Sequence, residues 1–94
     1  MSEKSILEFI DRFKNDKDTF LNGCCYWFAY ILKGRFKAEI CYDQGLGHFV
    51  GKIGDKYYDV TGEYHPVAVP VTAEEMKNTE PNLYRRIVRW CVMN

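Results

Sequence analysis

The spacing of hydrophobic residues changes along this chain from helical to alternating and back, and those changes divide it into elements. Ile6, Leu7, Ile10 and Phe13 recur at helical spacing, and Ser5 with Glu8 has the form of a capping box at the start. The polar stretch from Lys14 to Thr19 breaks the pattern and reads as a loop. Cys24 to Leu32 is apolar almost all round, the mark of a helix buried at the centre of a fold. Asn22 is its predicted N-cap, which puts Cys25 at the third helical position, and Gly34 its predicted left-handed terminus.

From Glu39 the period becomes two. Glu39 to Asp43, His48 to Ile53 and Lys56 to Val60 read as strands. Gly45-Leu46-Gly47 separates the first two, and Gly54-Asp55 is a two-residue II′ turn between the next. Val67 to Val71 is a candidate fourth strand, which Pro66 and Pro70 confine to an edge. Thr72 and Glu75 form a capping box that opens a short helix through Met76. Pro81 suits the first turn of a last helix, where Leu83, Ile87, Trp90 and Cys91 share a face. The expectation is an α+β fold, an antiparallel sheet of three to four strands packed on the Cys25 helix, with residues 1–94 as a single domain.

Composition narrows the function. Thirteen basic residues balance thirteen acidic ones, without the basic excess or stripe that a nucleic-acid-binding protein normally shows. The cluster Arg85, Arg86 and Arg89 reads as the wet face of a helix. No run spans a membrane, and the charged opening MSEKSILEF does not read as a signal peptide. The four cysteines therefore read as free thiols in a cytoplasmic protein.

Among them Cys25 stands out. At the start of a helix, backbone N–H groups and the helix dipole favour a thiolate. Downstream, the Gly54-Asp55 turn sets Ile53 opposite Lys56, so Val50 faces Asp59 and His48 faces Thr61. His48, Val50, Tyr57 and Asp59 then lie on one face, with His48 and Asp59 as diagonal neighbours. A thiol, an imidazole and a carboxylate are the parts of a nucleophile, its base and the group that orients the base. Taken singly, each has a plainer reading: Cys25 as core filler, His48 as a surface strand residue, Asp59 as a cap for the turn at Thr61-Gly62. Cys24, Cys41 and Cys91 read as core, His65 as exposed loop, and Asn22 as a helix cap first and an oxyanion donor second. Trp27 and Tyr57 are candidate pocket walls.

The segments NGCCYWFAYILKGRF and HFVGKIGDKYYDVTG resemble the nucleophile helix and the His-to-Asp hairpin of minimal papain-like and transglutaminase-like cysteine enzymes. That resemblance implies Cys25 as nucleophile, His48 as base and Asp59 as orienting carboxylate, with no metal or organic cofactor. The position six before the nucleophile, Gln in papain-like proteases, is Thr19 here. The whole chain also resembles small bacteriophage proteins with the pattern N-G-x-C-Y-x-F-A, which again selects Cys25 over Cys24. The expected function is a thiol hydrolase or acyltransferase acting on an amide, isopeptide or ester, with a protein or peptide substrate or a host protein as partner. A rival reading is a non-catalytic phage protein that binds a host defence factor and retains the triad as a relic. An accessible sulfur beside His48 favours catalysis, and a buried one favours binding. A zinc site drawn from Cys24, Cys25, Cys41, His48 or His65 lacks CxxC or HxxxH spacing.

Overall fold

A five-stranded antiparallel sheet carries its helices mainly on one face. The computed structural model describes residues 2–21, 24–66 and 68–93, with the side chains of the last four outside the description. The helices are α1 (Glu3–Asp11), α2 (Lys17–Leu21), α3 (Cys25–Phe36), α4 (Ala73–Thr79) and α5 (Pro81–Met93). The strands are β1 (Glu39–Asp43), β2 (His48–Ile53), β3 (Lys56–Asp59), β4 (Gly62–Tyr64) and β5 (Val71–Thr72), in spatial order β4-β3-β2-β1-β5. The fold class is α+β as expected, with five strands where three to four were anticipated.

The hairpin register matches the sequence reading. Ile53 pairs with Lys56 and Gly51 with Tyr58, across a turn in which Gly54 has φ of +64°. Asp55 has no positive φ, as a II′ turn requires. Alternation then sends Phe49, Gly51 and Tyr58 to one face, while His48 at the start of β2 and Asp59 at the end of β3 come within 2.9 Å of each other. α3 packs on the face of Gly51. Leu32 is fully buried there with Phe28, Phe36 and Tyr58, together with Ile6 and Ile10 of α1. A Cβ on Gly51 would lie 2.9 Å from Leu32 Cδ1, so the glycine sets how closely α3 approaches β2. Cys25, Ala29, Ile40 and Phe49 continue the core, and Ile87 and Val88 of α5 pack against it.

Several local expectations are corrected. The cap of α1 is Ser2, whose Oγ accepts from Ser5 N at 3.2 Å, in place of the Ser5–Glu8 box. The stretch read as a loop holds a 3₁₀ turn at Lys14–Asp16 and then α2, because Phe20 docks on Phe13 and Phe28. α3 runs through Gly34 to Phe36, and Lys37 (φ 58°) takes the left-handed position assigned to Gly34. The anticipated fourth strand is displaced. β4 follows the Thr61-Gly62 turn at one edge and β5 lies at the other, the connection between them holding Pro66 and Pro70. Val67 itself, and the Trp90 and Cys91 side chains placed on the last helix face, lie outside the described residues. The Thr72 cap forms as read, accepting from Glu75 N at 3.0 Å, but α4 continues past Met76 to Thr79.

Candidate active site

Cys25 and His48 meet where their elements begin, as the first residues of α3 and β2. The helix starts later than the sequence suggested. Trp27 N and Phe28 N both bond to the carbonyl of Cys24, which is the cap, so Cys25 stands at the first helical position and not the third. The positive end of the helix dipole therefore lies at Cys25 and favours its thiolate. Asn22, the candidate oxyanion donor, lies outside the described residues.

The imidazole connects the other two groups. Its Nε2–H donates to Asp59 Oδ2 at 2.9 Å, and the thiol of Cys25 is a further hydrogen-bond partner. With Nε2 occupied, Nδ1 is the nitrogen left for the sulfur. Asp59 makes both of the contacts weighed for it. One oxygen serves His48, while Oδ1 accepts from Thr61 N at 2.8 Å and from Thr61 Oγ1 at 2.5 Å. The turn thus fixes the carboxylate that fixes the ring. The His48 and Asp59 side chains are 13% and 7% exposed.

This burial decides the electrostatics. Desolvation alone would push the pKa of His48 down, but the hydrogen bonds and charges of Asp59 and Cys25 carry it up to about 9. For Asp59 desolvation pushes upward, and the bonds from His48 and Thr61 outweigh it, so its carboxyl lies below the ordinary value. The favoured state at neutral pH is an imidazolium facing a carboxylate. Cys41 behaves oppositely: burial in β1 and the nearby Glu39 charge push its thiol up to about 11.

Cys25 itself is buried, at 6% exposure, whereas Cys24 is half-buried. The sulfur therefore satisfies proximity to His48 but not open access. Tyr26, the next residue, is anchored between Phe49 (ring centroids 5.1 Å apart) and Tyr84 of α5, and burial with that hydrogen bond pushes its phenol up to about 12. Trp27 is 40% exposed and packs edge-on against Tyr26 and Tyr30 on the outer side of α3. Tyr57 stands on the same sheet face as Asp59 but lies under the Lys52 ammonium, 5.9 Å from its ring centroid. His65 is exposed, as read, and lies 3.8 Å from Glu63.

Two residues of the site were not singled out in the sequence. Asp43, at 1% exposure, pairs with His48 across β1 and β2, and Tyr64 Oη donates to its Oδ2 at 2.5 Å. The Tyr64 ring stands 5.4 Å from that of His48. The register of β1 on β2 was enough to place Asp43 beside His48; Tyr64 depended on a strand that was not foreseen. Among the described residues no three His, Cys, Asp or Glu converge as metal ligands, and no helix is long and apolar enough to cross a membrane.

Residues 5–91 match the family described as Phage YunG-like protein. The chain belongs to that family. The match spans nearly the whole sequence, including Cys25, His48, Asp59, Asp43 and Tyr64. It supports the expectation of a phage protein and assigns no chemistry. No curated protein and no solved structure matches the chain significantly.

Proposed function

We propose that this member of the phage YunG-like family is a thiol hydrolase or acyltransferase with Cys25, His48 and Asp59 as its triad. The observation that carries the reading is the 2.9 Å hydrogen bond from His48 to Asp59, with the Cys25 thiol as a second partner of the same ring. The order of helix-start cysteine, strand histidine and next-strand aspartate supports a papain-like or transglutaminase-like site. With His48 resting as the imidazolium, the Cys25 sulfur reacts as its paired thiolate and attacks the carbonyl carbon of an amide, isopeptide or ester. Asp59 stabilises the imidazolium, which then protonates the departing amine or alcohol. Water or a second nucleophile, deprotonated by His48, releases the acyl group from the thioester. N–H groups of the α3 first turn are suited to holding the oxyanion.

The test is brief exposure to iodoacetamide followed by peptide mass spectrometry. An imidazolium partner makes Cys25 react about tenfold or more faster than Cys24 at pH 7, despite its lower exposure, and His48→Ala abolishes the advantage. Preferential labelling of Cys24, with Cys25 silent in the folded chain, would overturn the reading. A second reading, a non-catalytic protein that binds a host factor, is favoured by one observation. Cys25 is buried while Trp27 and Tyr30 (40% and 52% exposed) face outward from the same helix. Under that reading Cys25→Ala preserves the phage phenotype and Trp27→Ala abolishes it.

A further inference from the structure

We propose that Tyr64 is a positioning residue for His48: its hydroxyl restrains Asp43, the buried carboxylate across the strand pair, and so leaves the imidazole to Asp59 and Cys25. The proposal rests on the triad reading given above and adds a second carboxylate to it. Asp43 and His48 are register partners and rise on the same sheet face. Directly opposite residues of adjacent antiparallel strands hold their Cβ atoms about 4.5–5.5 Å apart, so Asp43 is within reach of the ring. Four polar groups therefore surround the imidazole: Asp59 from β3, Cys25 from α3, Asp43 from β1 and Tyr64 from β4.

Two carboxylates beside one imidazole pose a conflict. Nε2 is taken by Asp59, so a bond to Asp43 would have to use the nitrogen that Cys25 needs. The conflict is resolved by giving each Asp43 oxygen another donor. Gly45 N reaches Oδ1 at 2.9 Å and Tyr64 Oη reaches Oδ2 at 2.5 Å. Gly45 belongs to the β1–β2 connection and is present whatever residue occupies position 64. The Tyr64 hydroxyl is the contribution that one atom can remove. Burial and the Asp43 acceptor push the Tyr64 phenol well above its ordinary value, so it stays a protonated donor over the whole working pH range. Its ring, tilted 60° to the imidazole, also closes that side of His48.

The experiment compares Tyr64→Phe with the double variant Tyr64→Phe/Asp43→Asn, reading Cys25 alkylation and the His48 pH titration by NMR. Tyr64→Phe frees one Asp43 oxygen to draw on the imidazole, so Cys25 labelling slows about tenfold or more and the His48 midpoint rises. The double variant removes the competing charge, so labelling recovers to within about threefold of wild type and the midpoint falls back. A simple packing role predicts the reverse, since the double variant departs further from the native contacts. Unchanged labelling and midpoint in Tyr64→Phe, or no recovery in the double variant, would overturn the proposal. Should Tyr64→Phe not fold, Asp43→Asn alone decides: labelling at or above the wild-type rate supports it, and a tenfold loss refutes it. If wild-type Cys25 reacts no faster than Cys24, the triad reading fails, and the two His48 midpoints still judge the role of Tyr64 separately.

Discussion

Replacing Asp59 by Asn isolates the charge that sets the state of His48. The amide keeps an oxygen for Thr61 N and Oγ1, so the Thr61-Gly62 turn persists, while the negative charge opposite Nε2 disappears. In the native chain His48 is displaced from 6.5 to about 9, a difference of about 2.5, equivalent to roughly 3 kcal/mol of preference for the protonated ring. That preference offsets a desolvation cost of opposite sign, and only Asp59 and Cys25 supply it through hydrogen bonds. Losing the carboxylate should therefore lower the His48 midpoint by at least about 1 pH unit, or roughly 1.4 kcal/mol. A ¹³C-resolved titration of the ring, assigned with His48→Gln, measures the midpoint directly. Urea unfolding across the same pH range measures its thermodynamic counterpart. Because the folded value is raised, this stabilisation is complete below pH 6.5 and is lost as pH rises through 9; in Asp59→Asn the loss is smaller and begins at lower pH. Asp59 adds the acid limb, since its lowered value contributes stability above the ordinary carboxylate range that is lost as pH falls through the folded value. A His48 midpoint that is the same in both proteins would refute the assignment of Asp59 as the controlling charge.

The remaining predictions concern the frame that holds the site. Gly51→Ala forces a Cβ to within 2.9 Å of Leu32 Cδ1 and should cost about 1–3 kcal/mol in urea titrations. Gly34→Ala, with nothing within 4 Å in the interior of α3, should instead stabilise by about 0.5–1 kcal/mol in the same assay. Leu32→Ala, at a fully buried site between α3 and the sheet, should destabilise by about 2–5 kcal/mol and lower the melting temperature. Thr72→Ala removes the cap of α4 at a cost of about 1 kcal/mol and should leave Cys25 labelling unchanged.

The parts legible in the sequence were those fixed by local chemistry. A two-residue turn with Gly first leaves one pairing for the flanking strands, so the approach of His48 to Asp59 followed from parity alone. Thr72 announced the start of α4 for the same reason. The parts that were not legible depend on distant contacts. α2 exists because Phe20 reaches Phe13 and Phe28, which no local propensity reports. The C-terminus of α3 passed the glycine that should have ended it, since Phe36 had a place in the core with Phe9. Its N-terminus is capped by the backbone of Cys24, a device that leaves no signature in side-chain type. Asp43 looked like an ordinary strand end, and only its burial and its partner Tyr64 mark it as part of the site.

His48 hangs from β2, the middle strand of five, with two neighbours on either side. Amides in such a position exchange with solvent only when the whole domain opens, whereas the two- and three-residue outer strands β5 and β4 can fray on their own. The base of the proposed reaction is thus expected to open later than Tyr64, which stands on a short outer strand. Partial melting would release the restraint on Asp43 before it released the histidine, so moderate warmth should silence the thiol while most of the protein is still folded.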